Sequence, residues 1–281
     1  MGGTSLSGMV KNRETFTTTL PNIVHMRHTH TDTDPYSWGQ PDDGAEMAKD
    51  LQRMVDTYGG GTIAACYVEP IAGSTGVLVP PKGYLQRLRE ICDANGILLI
   101  FDEVICGFGR MGKDPFGAQA FGVTPDIMTM AKALTNGAQP MGAIGVRDDI
   151  YETVTNAAPE NAIEFFHGYT YSGHPAACAA GIATMDIYEN EKLFARGDKL
   201  APYFADAMMA LKDIPKVTGI RGYGMMCGLE IDGDGAAMQT KLFHEGVHVK
   251  FTNNVGIFAP ALIAEKEHID EIATKIRKVL S

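Results

Sequence analysis

The feature that most constrains the fold is an uninterrupted apolar run that ends in an acid. Residues 97–101 read Ile-Leu-Leu-Ile-Phe, without the polar alternation of a strand that faces solvent on one side, and Asp102 follows directly. Such a run is typical of a parallel strand that is covered on both faces. Ahead of it lie another apolar stretch, residues 62–68, and a helical pattern that stops at Asn95-Gly96. This strand-helix-strand order predicts an α/β fold with a mostly parallel sheet.

The rest of the chain divides by its pattern. Residues 1–42 show little periodicity and indicate a loop-dominated entry, whereas residues 45–58 have helical spacing and residues 127–130 form a further strand candidate. Later segments are long helical stretches (175–190 and 191–212), strand-like pieces (225–231 and 247–251) and a last helix with an apolar stripe through Ile269, Ile272, Ile276 and Leu280. We therefore expect a large domain over residues 1–190 and a smaller α+β domain over residues 191–281.

Composition excludes several classes of function. The 281 residues carry a formal net charge of −10 and contain no Lys/Arg-rich tract, so no nucleic-acid partner is expected. Five scattered cysteines without C-x-x-C spacing favour reduced thiols and a soluble, cytoplasmic protein. No apolar run approaches the roughly 18–20 residues that span a bilayer, so we expect no membrane association. The histidines of residues 26–30 lack a third ligand at useful spacing, so no metal site is predicted.

Two residues at strand ends carry the candidate chemistry. Asp102 ends the strand of residues 97–101, and Lys132 follows the strand candidate 127–130, at the sheet edge where open α/β folds bind ligands. Each alone has an ordinary explanation: a helix cap or structural salt bridge for Asp102, and a solvated helix position for Lys132. Together they match what a pyridoxal-phosphate enzyme requires. The acid keeps a pyridine nitrogen protonated, and a desolvated amine is free to form an imine.

Four segments resemble motifs of the class III pyridoxal-phosphate-dependent aminotransferases. In family order they are residues 67–77 (YVEPIAGSTGV), 99–112 (LIFDEVICGFGRMG), 130–137 (MAKALTNG) and 166–175 (FHGYTYSGHP). The last segment is similar to the form found in ω-amino acid–pyruvate aminotransferases. The resemblance extends over the whole chain.

The resemblance implies a fold type I transferase that binds pyridoxal 5'-phosphate. By position in the motifs, Lys132 is the Schiff-base lysine, Asp102 pairs with the ring nitrogen and Val104 packs on the ring face. Thr170 matches a threonine that, in this family, reaches the cofactor phosphate of the partner subunit. Thr170 and its neighbour Tyr169 offer suitable hydrogen-bond donors for a phosphate. The functional unit implied is therefore a homodimer at least.

Other matched positions concern the substrate and the amino terminus. Glu69 matches a carboxylate near the cofactor and the distal end of the substrate, and Arg110 and Arg221 match motif arginines. Lys250 stands where many ω-aminotransferases carry an arginine that holds an α-carboxylate. The first residues match the stretch just after the family's Y-H-G segment. We therefore expect an incomplete large domain, without the stacking aromatic residue and the Gly-Ser phosphate loop.

The activity that the resemblance implies is transamination. An amine donor, such as an ω-amino acid or a simple amine, gives its amino group to a keto acid acceptor, with pyruvate the leading candidate. Two alternatives remain open. One is another class III activity, on 4-aminobutyrate or a diamine or as an aminomutase. The other is a truncated, catalytically inactive chain with only a structural role.

Overall fold

A computed structural model of the chain describes residues 2–31, 34–42 and 44–281. The helices are α1 (Gly2–Leu6), α2 (Val10–Thr15), α3 (Lys49–Tyr58), α4 (Tyr84–Asn95), α5 (Gly117–Phe121), α6 (Asp148–Asn156), α7 (Pro175–Asn190), α8 (Leu193–Met209), α9 (Gly235–His244) and α10 (Lys266–Leu280). The strands are β1 (Tyr36–Trp38), β2 (Ala65–Val68), β3 (Leu98–Asp102), β4 (Ile127–Met130), β5 (Ala143–Val146), β6 (Val217–Tyr223), β7 (Met226–Ile231), β8 (Lys250–Thr252) and β9 (Val255–Phe258). Three short 3₁₀ turns follow α3, β4 and α8, at Gly60–Thr62, Lys132–Leu134 and Ala210–Asp213.

The first sheet has the strand order β2-β3-β4-β5. Strands β2, β3 and β4 are parallel and β5 is antiparallel, which confirms the α/β fold with a mostly parallel sheet. The register pairs Asp102 with Thr129, so the carboxyl ends of β3 and β4 lie side by side. This edge is where the sequence placed its two candidate catalytic residues.

The second sheet has the order β1-β6-β7-β9-β8. Its strand β1 comes from residues near the amino terminus and runs parallel to β6, while the other pairs are antiparallel. The residues assigned to the smaller domain therefore share their sheet with residues 36–38. The division near residue 190 stays a prediction.

Helix α4 shows how the local sequence sets the packing against the first sheet. Its apolar residues recur at helical spacing on one face, and the five on that face are buried: Tyr84, Leu85, Leu88, Ile91 and Cys92. The helix ends where Gly96 adopts φ +67°, a left-handed conformation that glycine reaches without a steric penalty. This confirms the helix and the stop that the sequence predicted.

One buried carboxylate ties β3, β4 and α4 together. Asp126, just before β4, accepts the Leu99 backbone N–H at 2.7 Å and the Arg89 guanidinium at 2.8 Å, and it also pairs with Arg147. A buried charge is tolerated when such partners satisfy it. These contacts fix the relative position of the two strands that carry Asp102 and Lys132.

Some predicted boundaries and burial patterns were wrong. The strand expected at residues 62–68 begins only at Ala65, because Gly60–Thr62 forms a 3₁₀ turn, and the strand expected at 247–251 is β8, Lys250–Thr252. Strand β3 was expected to be covered on both faces, yet Leu99 and Phe101 are buried while Leu98 and Ile100 are half-exposed. Helix α4 covers one face of this sheet, and the other borders an open cleft.

Candidate active site

A cleft of about 1830 Å³ opens at the carboxyl ends of the parallel strands. Glu69, Asp102 and Lys132 follow or end β2, β3 and β4 respectively, and all three line this cleft. Val104 lines it as well. The fold thus brings together four of the residues singled out from the sequence.

Asp102 is held from two sides. Its Oδ1 accepts the Val104 backbone N–H at 3.0 Å, and its Oδ2 accepts the Tyr67 hydroxyl at 3.1 Å. Within the described ranges, no Lys, Arg or His side chain forms an ion pair with it. A half-buried carboxylate that lacks a cation suits a cationic group brought by a ligand.

Lys132 begins the 3₁₀ turn after β4 with φ +47°, an uncommon conformation for a residue with a side chain. The loop after it is held by α7, because the Tyr188 hydroxyl donates to the Ala133 carbonyl at 2.7 Å and accepts Asn136 Nδ2 at 3.0 Å. In the part of the chain that the structure describes, no side chain forms a hydrogen bond or ion pair with the Lys132 amine. Lys132 lines the cleft.

Lys132 was expected to be desolvated, and this prediction was wrong. The side chain is exposed, because the turn that carries it lies beyond the end of β4 and borders the open cleft.

Glu69 lies in a tight loop after β2. Its Oε2 accepts the Gly73 backbone N–H at 3.0 Å. A Cβ atom at Gly73 would come within 2.8 Å of the Ile105 side chain, so a larger residue there would force Ile105 to shift. The pKa of the Glu69 carboxyl is raised above its usual value, chiefly because the group is buried. The Gly73 hydrogen bond opposes this shift, the charge of Asp102 adds to it, and the charges of Lys132 and Lys250 oppose it more weakly.

Three further residues shape this edge, and the sequence analysis missed them. Tyr67 and Thr129 flank Asp102 from β2 and β4, and their hydroxyls are 3.0 Å apart. Glu103 is completely buried and accepts the N–H groups of Gly117 and Ala118, at 2.9 and 2.7 Å, at the start of α5. The alternation of side chains along a strand was one signal for Tyr67, because residues 67 and 69 are two positions apart and so point to the same face.

Lys250 and Thr252 are the first and last residues of strand β8 in the second sheet. Thr252 lines the cleft and its hydroxyl donates to the Ser74 carbonyl at 2.8 Å, which joins β8 to the loop after β2. Lys250 itself is exposed at the start of β8 and is not among the residues that line the cleft. Its charge slightly lowers the pKa of the Glu69 carboxyl.

The structure does not bring Tyr169 and Thr170 to the cleft of their own chain. Both are exposed, in a segment without regular secondary structure before α7. Phe166 in the same segment is 92% exposed and Tyr169 is 77% exposed. Their predicted contact with a partner subunit stays a prediction.

The two motif arginines join parts of the chain. The Arg110 guanidinium donates to the Pro260 carbonyl at 2.6 Å, and burial lowers its pKa. Arg221 is buried, donates to the Gly76 carbonyl at 2.7 Å and pairs with Glu230 at 3.0 Å. Both therefore connect the second sheet, or the loop after it, to the first half of the chain.

Residues 2–31, 34–42 and 44–281 contain no group of three or more His, Cys, Asp or Glu side chains able to hold a metal ion. None of the helices in those ranges combines the length and apolar character that crossing a membrane demands.

Comparison with known families identifies the chain. Residues 1–280 match the family Aminotransferase class-III. The chain belongs to the class III aminotransferases, which use pyridoxal phosphate as their cofactor. This confirms the family that the four sequence motifs predicted.

Relatives in sequence and in structure agree with this assignment. The chain is 47% identical to an omega-aminotransferase of Caulobacter vibrioides, over 99% of its own length and 65% of that protein. It is 42% identical to an omega-amino acid–pyruvate aminotransferase of Pseudomonas putida, over 100% of its length and 64% of that protein. An omega transaminase of Pseudomonas jessenii, solved in complex with PMP, is similar with a TM-score of 0.91 and 29% identity, over 99% of this chain and 64% of that one. The fold type I prediction is confirmed, and the chain spans slightly less than two thirds of the length of these relatives.

Proposed function

We propose that the chain carries the catalytic centre of a transaminase that moves an amino group from an ω-amino acid or amine to a keto acid. One observation carries the proposal. Asp102 at the end of β3 and Lys132 just after the adjacent parallel strand β4 present to one cleft a carboxylate and an amine that form no ion pair with the described residues. The residue types suit the ring nitrogen and the aldehyde carbon of pyridoxal phosphate.

The residues present fit this cofactor on two grounds. Asp102 has hydrogen-bond donors on both oxygens but no cation among the described residues, so a protonated ring nitrogen would complete its environment. Lys132 offers an amine that no described side chain occupies. When bound, pyridoxal phosphate supplies an aldehyde that condenses with amines and a cationic ring that accepts electrons from a breaking Cα–H bond.

Each residue then has a distinct task. Asp102 would hold the proton on the ring nitrogen, and Val104, half-buried beside it, would cover one face of the ring. Lys132 would hold the cofactor through Nζ, and the same atom would take a proton from the donor carbon and return it. The Lys132 turn is fixed by Tyr188, which supports a stable position for that atom.

The substrate proposal rests on the relatives and on two charged residues. The relatives' names include an omega-amino acid–pyruvate and a putrescine–pyruvate aminotransferase, which supports pyruvate as the acceptor. We assign Glu69 to the distal end of the donor because it lines the cleft between Asp102 and the Gly73 loop. Lys250 is assigned to the substrate α-carboxylate, with the charge it places near Glu69 as support.

We further propose a homodimer in which Tyr169 and Thr170 reach the cofactor phosphate in the partner's cleft. The exposed aromatic residues of this segment, Phe166 and Tyr169 among them, would be covered by a second subunit. Two largely separate apolar cores support domains over residues 1–190 and 191–281. Free cysteines, four of them buried, are consistent with a cytoplasmic location.

Borohydride reduction tests the central assignment. We expect reduction of the cofactor-loaded chain to attach the cofactor permanently to Lys132, because the imine between them is reduced to a stable secondary amine. The attached cofactor then serves as the label. Peptide mapping locates the label, and the Lys132→Arg chain treated in parallel is the control. Label on Lys82, Lys113 or Lys250 with Lys132 unmodified would overturn the assignment.

Replacing Lys250 tests the substrate side. We expect Lys250→Arg to improve kcat/KM for alanine and pyruvate by roughly 1–2 kcal/mol, because a guanidinium grips a carboxylate with two parallel hydrogen bonds. Amine donors without a carboxylate should barely respond, and they serve as the internal control. Equal changes for both kinds of donor would mean that Lys250 does not contact the substrate.

A further inference from the structure

The hydroxyl of Tyr67 lies between the two strands that carry the proposed catalytic pair. Tyr67 is on β2, and its hydroxyl is 3.1 Å from Asp102 Oδ2 on β3 and 3.0 Å from Thr129 Oγ1 on β4. Tyr67 also lines the cleft and is half-buried. One side chain thus spans the carboxyl ends of three adjacent strands.

The direction of these hydrogen bonds follows from the groups involved. An ionised carboxylate only accepts, so the Tyr67 hydroxyl donates its proton to Asp102. The Thr129 hydroxyl then donates to the Tyr67 oxygen, since Tyr67 has no second proton to give. Burial raises the pKa of Tyr67, and the nearby carboxylate adds to this, so the hydroxyl keeps its proton at neutral pH.

The consequence for Asp102 is a fixed orientation. The Val104 N–H holds Oδ1 at 3.0 Å, and among the described residues it would be the carboxylate's remaining hydrogen bond without Tyr67. A carboxylate held at one oxygen can rotate about its Cβ–Cγ bond, whereas one held at both oxygens cannot do so freely. Asp102 lies on the strand face that borders the cleft, where ring-nitrogen contact depends on that orientation.

We propose that Tyr67 is a positioning residue that fixes the Asp102 carboxylate toward the cofactor ring nitrogen, with Thr129 holding the Tyr67 hydroxyl in turn. The inference rests on the proposed function, because it assigns Asp102 to that nitrogen. In this role Tyr67 acts through Asp102, to which its hydroxyl donates.

The test compares three variants of the chain. Tyr67→Phe removes the hydroxyl and keeps the ring that packs in the sheet. Thr129→Val removes the far end of this series of hydrogen bonds, and Tyr84→Phe is the matched control, since Tyr84 is buried on the packed face of α4 and makes no hydrogen bond to Asp102. The measurements are the dissociation constant of pyridoxal phosphate, the ¹⁵N resonance of its ring nitrogen, and kcat and KM for one amine donor.

We expect Tyr67→Phe to weaken cofactor binding and lower kcat by about tenfold each, in line with one hydrogen bond to a charged group. The ring-nitrogen resonance should move toward the unprotonated form, while KM for the donor stays within about a factor of two, as no substrate contact is lost. Thr129→Val should shift the same quantities less, and Tyr84→Phe should leave them unchanged.

The outcomes separate this inference from the proposed function. If the parent chain binds the cofactor through Lys132 and Tyr67→Phe behaves like Tyr84→Phe, the inference alone is wrong. A Tyr67→Phe chain with a lowered melting temperature, a raised KM and an unchanged ring-nitrogen resonance would make Tyr67 structural. A parent chain that binds no cofactor would overturn the inference together with the proposed function.

Discussion

Lys132→Ala is expected to lower transamination by at least about a thousandfold, because proton transfer by a positioned general base alone contributes about 10²–10⁴-fold. The substitution removes the covalent anchor as well as the base. In the described part of the chain, the Lys132 amine has neither a hydrogen bond nor an ion pair, so its removal leaves no partner group unsatisfied. The fold should therefore persist, and the loss should appear in kcat.

Two controls separate the chemistry of Lys132 from its charge. Lys132→Arg keeps a cation at the same place but offers no amine for imine formation, so it should be as inactive as the alanine variant. Lys82→Ala removes an exposed lysine that pairs with Asp42 at 2.8 Å and should keep full turnover. Single-turnover rates and melting temperatures are the measurements. Parental turnover in Lys132→Arg would exclude Lys132 as the anchor.

The elements that could be predicted are those that depend on residues close together in the sequence. The apolar run before Asp102 and the turn signal at Gly96 predicted β3 and α4, which the structure shows at Leu98–Asp102 and Tyr84–Asn95. Asp102 and Lys132 lie 30 residues apart in the sequence, and they could be paired in advance because parallel strands end at one sheet edge. The family motifs then assigned roles that spacing alone left open.

The contacts that were missed depend on strand pairing between distant residues. Tyr67 and Thr129 meet across 62 residues, and no local pattern encodes that contact. Strand β1 was hidden for the same reason, because its three residues form a strand only by pairing with β6. Strand β9 contains Gly256, which weakens the apolar pattern that would have revealed it.

The burial of the site also differs from the sequence argument. A run of five apolar residues predicted a strand covered on both faces, but Leu98 and Ile100 are half-exposed. An apolar residue is suited to burial, but its presence in the sequence does not show whether another element covers it. The same limit explains Lys132, whose exposure depends on the open cleft beyond β4.

Asp102→Asn should retain the fold and lose most of the transaminase rate. The amide oxygen can still accept the Val104 N–H, and the amide N–H₂ can donate to the Tyr67 oxygen once that hydroxyl turns toward Thr129. No buried partner is left unsatisfied, so stability should change little. What is lost is the negative charge that keeps the ring nitrogen protonated and able to take up electrons.

We expect kcat for Asp102→Asn to fall by about a thousandfold, which corresponds to about 4 kcal/mol in the barrier. The measurements are single-turnover rates with a good amine donor, together with urea unfolding of parent and variant. Asp93→Asn is the matched control, because it makes the same change at an exposed carboxylate on α4, where Asp93 pairs with Arg89. It should leave the rate unaltered. If Asp102→Asn turned over within a factor of a few of the parent, Asp102 would be a structural residue that orients Tyr67 and Val104, and the ring nitrogen would need another partner.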